Sequence, residues 1–466
     1  MKRRRFSGST GRLLLSVMFA LSAVASAEWK EKVLYSFQGI PDGAYPGAGV
    51  VFDSAGNLYG TTYNGGANSC PGILQCGVVY QLKARSQHGK PWTETVLYIF
   101  KGANYNDGSS PVGGVLFDRA GNLYGTTAYG GSGDCKLFGG RSGCGTVFEL
   151  MPPKQKGGAW KEKVLYSFKG GKDGYFPWGN LTFDSAGNLY GATQYGGGYG
   201  SCNAPYYQYC GTVFKLSPPK TKGGKWTEQV LYAFKSGTDG ANPNGGLVFD
   251  NKGVLYGTTY FGGDTVDHCD SGGGFVGCGT VFELKPPSTN DAPWTEKILL
   301  HFKTDASMGG NPAAGVIFGP NGNLYGTTSW GGQFPTLDSG TVFKLSRSKD
   351  GAWNETLLHS FPNAGFEGNT PLASVIFDAK GVLYGTTSIG GSGFGGTVFQ
   401  LPTPSGGEIA WTYTVLYSFK KAPDGTAPQA DLIFDRAGNL YSTTLYGGTG
   451  TGCQQGGCGM VFELQR

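Results

Sequence analysis

Few side chains in this sequence are of the kind that exchange protons or hold metals. The tightest group is Asp264, Asp267, His268 and Asp270, four acid–base side chains within one short stretch. Carboxylates and an imidazole that close together could ligate a cation or divide the roles of acid and base. The same composition suits a solvated acidic loop, so the four rank only as weak metal candidates and no catalytic residue is assigned. The chain holds four histidines, scattered along it; His359 stands where most other copies of the same segment carry Tyr, and His301 lies in the same segment of another copy. Packing is their default role. A Gly-x-Gly-x-x-Gly match at Gly196 says nothing about nucleotides in a chain with 84 glycines and no helical segment to follow it.

A second set is defined by spacing. Directly before seven Gly-Gly pairs sit Asn64, Tyr129, Tyr195, Phe261, Trp330, Ile389 and Tyr446. Beside the Thr hydroxyls and Asp carboxylates of the same segments, aromatic faces could stack on sugars and bond their hydroxyls, or meet an apolar protein surface. Tyr129, Tyr195, Phe261, Trp330 and Tyr446 are therefore candidate ligand-binding residues. The plainer reading packs them between neighbouring repeats, since a repeated feature is first a packing feature.

The third set is ten cysteines in five close pairs: Cys70/Cys76, Cys135/Cys144, Cys202/Cys210, Cys269/Cys278 and Cys453/Cys458. Cysteines present or absent in pairs point to local disulfides rather than to zinc, which would want CxxC spacing or histidine partners. Closing loops this short stabilises by roughly 2–3 kcal/mol each in the chain-entropy model.

The elements that position these residues are copies of one unit. Segments like Gly114-Val-Leu-Phe-Asp-Arg-Ala-Gly-Asn-Leu-Tyr-Gly-Thr-Thr127 begin near Gly49, Gly114, Asn180, Gly246, Gly315, Ser374 and Asp431. Each unit opens on a Trp-led strand with alternating polarity, as in Trp29-Lys-Glu-Lys-Val-Leu-Tyr-Ser-Phe37, which suits an outer edge. An Asp-Gly loop and a Pro lead to an apolar strand such as Gly246-Leu-Val-Phe-Asp250, which reads as buried on both faces and innermost. An Asp-x-x-Gly turn joins it to Leu-Tyr-Gly-Thr-Thr, and after a variable loop comes Gly-Thr-Val-Phe-Glu-Leu.

Four strands per unit, seven units and no helical period of ten residues predict an all-β, seven-bladed β-propeller of four-stranded antiparallel blades. At about 63 residues per unit the copies exceed the usual propeller blade, with the surplus in loops. The unit starts on an outer strand and the chain ends on a third strand, so residues 29–37 should complete the last blade and close the ring. An open solenoid would want capping repeats, which are missing.

Residues 1–27 read as a secretory signal: a basic cluster at Lys2–Arg5, an apolar run from Leu13 to Val24, and Ala25-Ser26-Ala27. The run is too short to span a bilayer of about 30 Å. The propeller is thus expected to fill residues 28–466 of a secreted, extracellular or periplasmic protein with no membrane span after cleavage. The formal charge of +5 is carried by Lys2, Arg3, Arg4, Arg5 and Arg12, so the remainder is neutral and gives no electrostatic reason to bind nucleic acid.

The combination Phe-Asp-x-x-Gly-Asn-Leu-Tyr-Gly-Thr-Thr, aromatic-Gly-Gly and Gly-Thr-Val-Phe-x-Leu resembles the bacterial GloVer, or Gloeo-Verruco, tandem-repeat family over essentially all of residues 28–466. The resemblance implies an exported propeller and brings no defined activity. Members often carry a C-terminal surface anchor, a pattern from which a chain ending at Arg466 directly after a strand departs. The second and third strands are also similar to those of NHL-type propellers, most of which bind proteins, nucleic acids or small ligands. The expected function is a binding scaffold without cofactor, for a glycan or a cell-surface protein. The alternative is a propeller enzyme acting on polysaccharide or a small lactone.

Overall fold

A computed structural model describes residues 29–66, 76–84, 92–135, 142–198, 210–263, 277–289, 292–303, 309–332, 339–362, 365–404, 410–453 and 456–466. The expected signal segment, Cys70, Cys202, Cys269 and the cluster Asp264, Asp267, His268 and Asp270 lie outside them.

These residues form seven four-stranded antiparallel sheets arranged as blades. The first blade runs Val51–Phe52, Leu58–Thr62, Val78–Lys83 and Thr93–Ile99 from the axis outwards. The last is built from Ile433–Phe434, Leu440–Thr444 and Met460–Gln465, with Lys30–Ser36 as its outer strand. Lys30 faces Gln465 and Ser36 faces Met460, so the N-terminal strand shuts the seven-bladed ring as the repeat order predicts. The described residues contain no α-helix, only short 3-10 turns in the Asp-Gly loops such as Ala103–Tyr105.

The innermost strands differ from expectation in one respect. Only their first apolar residue is fully buried, as at Val50, Val115, Val316 and Leu432. The next two, such as Leu116 and Phe117, are half-buried. In six blades regular pairing there lasts two residues before the tight turn carries the chain out to the rim, whereas in the third the strand runs Tyr175–Phe183 with a register shift between Trp178 and Thr182.

Adjacent blades are keyed together by the Tyr of Leu-Tyr-Gly-Thr-Thr. Tyr59, 5% exposed, meets Phe117 at 5.0 Å and Trp160 at 6.2 Å, both in the next blade. Tyr124 meets Phe183 and Trp226 in the same way, and Tyr384 meets Phe434 and, across the closure, Trp29. Such edge-to-face contacts each add roughly 0.5–1.5 kcal/mol beyond burial. The phenol is aimed by the turn of its own blade: Tyr59 donates to Asp53 Oδ2 at 3.0 Å, while Asp53 Oδ1 accepts the Ala55 and Asn57 amides. The first Thr of the motif also crosses between blades, Thr61 donating to the Gly113 carbonyl and Thr443 to that of Ala48.

A latch works at the other end of each joint. The residue before every loop Pro is left-handed, with φ between 54° and 62° at Tyr45, Ser110, Phe176, Asn242, Asn311, Thr370 and Ala427. Its amide donates back to the preceding blade, for example Asn242 to the Cys210 carbonyl at 2.9 Å. The glycine after that carbonyl lets the Pro close in: a Cβ on Gly211, whose φ is +81°, would lie 2.3 Å from the Thr193 carbonyl oxygen and 2.5 Å from Pro243 Cδ. Gly211→Ala should therefore cost about 2–4 kcal/mol in urea unfolding. Gly187→Ala shares the positive φ but meets nothing within 4 Å, and should cost about 1–2 kcal/mol. Equal losses for the two would show that the latch adds nothing beyond backbone conformation.

Candidate functional site

The two faces of the ring are built differently. One carries the tight turns and the Lys/Pro/Gly linkers, which touch each other: the Ala84 amide donates to Asn57, and the Thr403 hydroxyl to the Gly381 carbonyl. The other carries the Asp-Gly loops and the cysteine-bearing loops.

On that second face Cys135 and Cys144 are bonded with Cα atoms 5.0 Å apart, and Cys453 and Cys458 with Cα atoms 5.3 Å apart. Cys76, Cys210 and Cys278 are fully buried and disulfide-bonded too. No described cysteine is free. The second Cys of a pair sits at the blade joint because its carbonyl receives the latch amide, as Cys144 does from Phe176 at 2.9 Å. Each disulfide therefore ties its loop to the rigid frame. In the fifth and sixth repeats Ser339 and Gly395 take the same amide, from Thr370 and Ala427.

The five aromatic candidates are all half-buried and occupy one tier, one per blade. Tyr129 packs on Phe176 of the next repeat at 4.9 Å, and Tyr446 on Tyr45 across the closure at 5.5 Å. Tyr195 lies against Tyr175 and Phe176, and Phe261 against Tyr260. Trp330 pairs through its backbone with Gly310. The Thr hydroxyls expected beside them are committed to the frame: Thr127 and Thr146 are fully buried with their oxygens 2.8 Å apart. The loop carboxylates are likewise engaged, Asp107 accepting the Tyr98 hydroxyl at 2.7 Å and the Lys101 amide at 2.9 Å.

What this face does present was not singled out from the sequence. Of the six large hydrophobic side chains exposed among the described residues, five lie in its loops: Ile40, Tyr105, Phe366, Ile389 and Phe394. Phe366 and Phe394 are 77% and 78% exposed, and Phe394 holds a left-handed φ of 59°, a conformation that strains a bulky residue. The signal available in the sequence was their departure from the repeat.

In the clefts between outer strands, five copies of a Tyr–Asp–Glu arrangement recur. Glu31, Glu94, Glu162, Glu228 and Glu296 each face the loop Asp of the preceding cleft wall, respectively Asp424, Asp42, Asp107, Asp173 and Asp239. Burial first, and the neighbouring carboxylate second, push these glutamates up to about 7 or 8. The Oε1 atom of each is buried without a hydrogen-bond partner. One cleft is permuted. There His359 stacks on Tyr413 at 4.1 Å, its Nε2 lies 3.3 Å from Glu367 Oε2 without hydrogen-bond alignment, and the Tyr413 hydroxyl donates to the Glu367 carbonyl. Burial lowers His359 to about 4, so it is neutral at pH 7.

The axis is nearly filled. Gly49, Gly113, Gly246 and Gly315 line a channel of about 80 Å³ together with Asn180, Ser374 and Asp431. Asp431 accepts the Ser374 amide at 2.8 Å and the Asn180 side-chain amide at 3.1 Å, which bridges the third and seventh repeats. Among the described residues no group of three or more His, Cys, Asp and Glu is placed to hold a metal, and no helix is long and apolar enough to cross a membrane.

The sequence profile of the Gloeobacter/Verrucomicrobia repeat matches residues 135–269 and 268–466. The chain belongs to that family. No curated protein matches this Gloeobacter/Verrucomicrobia repeat protein. Among solved structures it is similar to a putative 6-phosphogluconolactonase from Bacteroides uniformis, with 15% identity, 83% of this chain and 88% of that chain covered, and a TM-score of 0.47. A gluconolactonase from Xanthomonas campestris shares 13% identity over 68% of this chain and 78% of its own, with a TM-score of 0.34. A fungal alcohol oxidase of the AA5 family, in complex with copper, shares 14% over 94% and 76%, with a TM-score of 0.47. At these identities the activities named belong to those proteins. For the Gloeobacter/Verrucomicrobia repeat protein, the disulfides are consistent with an extracellular or periplasmic location.

Proposed function

We propose that this ring is an exported binding scaffold whose ligand face is the disulfide-bearing one, the ligand being a cell-surface protein or a glycan. The observation that carries this is the placement of exposed apolar side chains: five of six sit in loops of that face, three of them, Phe366, Ile389 and Phe394, in one repeat. The sixth repeat that carries these three has no cysteine pair; beside Phe394 its loop is fastened by Gly395, which donates to the Phe419 carbonyl and accepts the Ala427 amide, and a loop held in place loses less entropy on binding. The channel offers the enzymatic alternative little support, because Asp431, the carboxylate among its described lining residues, already holds the Ser374 and Asn180 amides.

Surface plasmon resonance against hits from a glycan array and from immobilised envelope proteins tests the reading. Phe366→Ala, Phe394→Ala and Tyr105→Ala should each weaken binding by roughly 10- to 100-fold, about 1.4–3 kcal/mol, with unchanged melting temperature. Lys154→Ala and Lys222→Ala, on the linker face, should change nothing. Binding indifferent to all three aromatic changes would overturn the assignment of the face. Tyr129→Ala, Tyr195→Ala and Trp330→Ala sort the half-buried tier: lost binding with intact stability makes it part of the ligand site, and lost stability with intact binding makes it packing.

A further inference from the structure

A pocket of about 600 Å³ opens between the third and fourth blades on the opposite face, among the tight turns and linkers, within the size range of sites for small organic ligands. Its apolar walls come from both blades: Tyr190 from the third, Phe249 and Trp294 from the fourth, and the linker prolines Pro286 and Pro287. Tyr190 braces the wall, meeting Phe249 at 4.9 Å and 90° and Trp294 at 6.4 Å and 60°. Trp294 is half-buried, so part of the indole remains open.

The polar groups of the pocket form a combination of their own: Lys344 and the Asp378 turn with Val382 repeat two of them at the joint of the fifth and sixth blades, but Thr356 and Gly319 stand there in place of Gln229 and Asp184. In the third-blade turn Asp184 is saturated by the Ala186 and Asn188 amides, the Asn188 side chain and the Tyr190 hydroxyl. In the fourth-blade turn Val254 replaces that Asn, and Asp250 Oδ2 is left with the Tyr256 hydroxyl at 3.4 Å, so it keeps acceptor capacity. Where the second and seventh blades place Glu149 and Glu463 to accept a key Tyr hydroxyl, the third places Lys215, whose ammonium stands 5.7 Å from the Tyr190 ring centre. Gln229 is exposed at the rim.

We infer that this inter-blade pocket binds a neutral oligosaccharide, with one sugar ring against Trp294 and its hydroxyls bonded to Asp250, Lys215 and Gln229. An indole beside a carboxylate acceptor, an ammonium donor and an amide that does both matches a sugar, whose hydroxyls donate and accept on the rim of an apolar ring. Two carboxylates against one ammonium disfavour an anionic ligand. The pocket presents side chains rather than an unpaired strand edge, so it is not shaped to add a peptide strand.

Isothermal titration of the purified protein with maltohexaose, cellohexaose, chitohexaose and a galacturonic acid hexamer tests this. One of the three neutral hexamers should bind, and Asp250→Asn, Lys215→Met and Gln229→Ala should each weaken it at least fivefold. These changes leave the Tyr190 key in place, whereas Trp294→Ala would disturb it and is not relied upon. Thr95→Ala, the counterpart of Gln229 in the first blade, should have no effect, and neither should Phe366→Ala, which separates this site from the disulfide face. No neutral hexamer binding at up to about 10 mM, binding indifferent to the three variants, or tighter binding of the acidic hexamer would each overturn the inference.

Discussion

Removal of residues 29–38 should abolish the folded monomer. The deleted strand supplies Leu34, 5% exposed, and Phe37, fully buried and 4.9 Å from the Tyr80 ring of the first blade. It also supplies the Phe37 amide that donates to Gly459 and the Lys32 ammonium 3.1 Å from Glu463. Losing two large core side chains costs roughly 4–10 kcal/mol, comparable with the whole stability of an ordinary domain. The strand left behind, Met460–Gln465, would become an unpaired edge, with Met460 through Leu464 no longer covered on that side, and such edges recruit other chains. Size-exclusion chromatography should show oligomers or aggregate, and a synthetic 29–38 peptide added during refolding should restore monomer. A truncated protein that stays monomeric with the parental melting temperature would refute the closure.

Alkaline pH should loosen the ring. In five clefts a glutamate is held at about 7 or 8 by burial and by a neighbouring Asp carboxylate. The folded state keeps these protons after the unfolded chain, titrating near 4.5, has released them. Stability is thus full below about pH 4.5 as far as these groups go, and falls as pH rises towards 8. Asp42, Asp107 and Asp173, also raised by burial, act in the same direction. His359 opposes them at the acid end: it stays neutral to about 4, so its contribution is lost as pH falls from 6.5 to 4. Allowing for solvent screening of these part-exposed carboxyls, the loss is roughly 1 kcal/mol per cleft, or about 5 kcal/mol over the ring. Urea unfolding from pH 5 to pH 9 should show it, and Glu94→Gln, Glu162→Gln and Glu228→Gln combined should flatten the curve. A flat profile in the parent protein would refute the coupling.

The frame was legible in the sequence because every blade solves the same local problem with the same residues. Strand order, ring closure, the sharing of one face by Asp-Gly and cysteine-bearing loops, and the bonding of Cys135 with Cys144 and of Cys453 with Cys458 follow from the repeat alone. Contacts between blades were not legible, since periodicity describes a unit and not its neighbour. Tyr59 reads as one strand residue among others, yet its ring belongs to the next blade's core. Glu94 reads as a charge on the wet side of an edge strand, yet the loop of the preceding cleft wall covers it. The exposed Phe366 and Phe394 and the permuted His359–Glu367–Tyr413 cleft share another trait: each is a place where one copy departs from the rest. Averaging the repeats reveals the scaffold and hides such residues.

The pairing that closes the ring also fixes its response to tension. Lys30 lies opposite Gln465 in an antiparallel ladder, so residues 29 and 466 leave the molecule side by side. A pull that separates those two points loads the hydrogen bonds one after another, as a zipper opens, rather than all together in shear. Stretched between residues 29 and 466, the propeller yields first at its own seam.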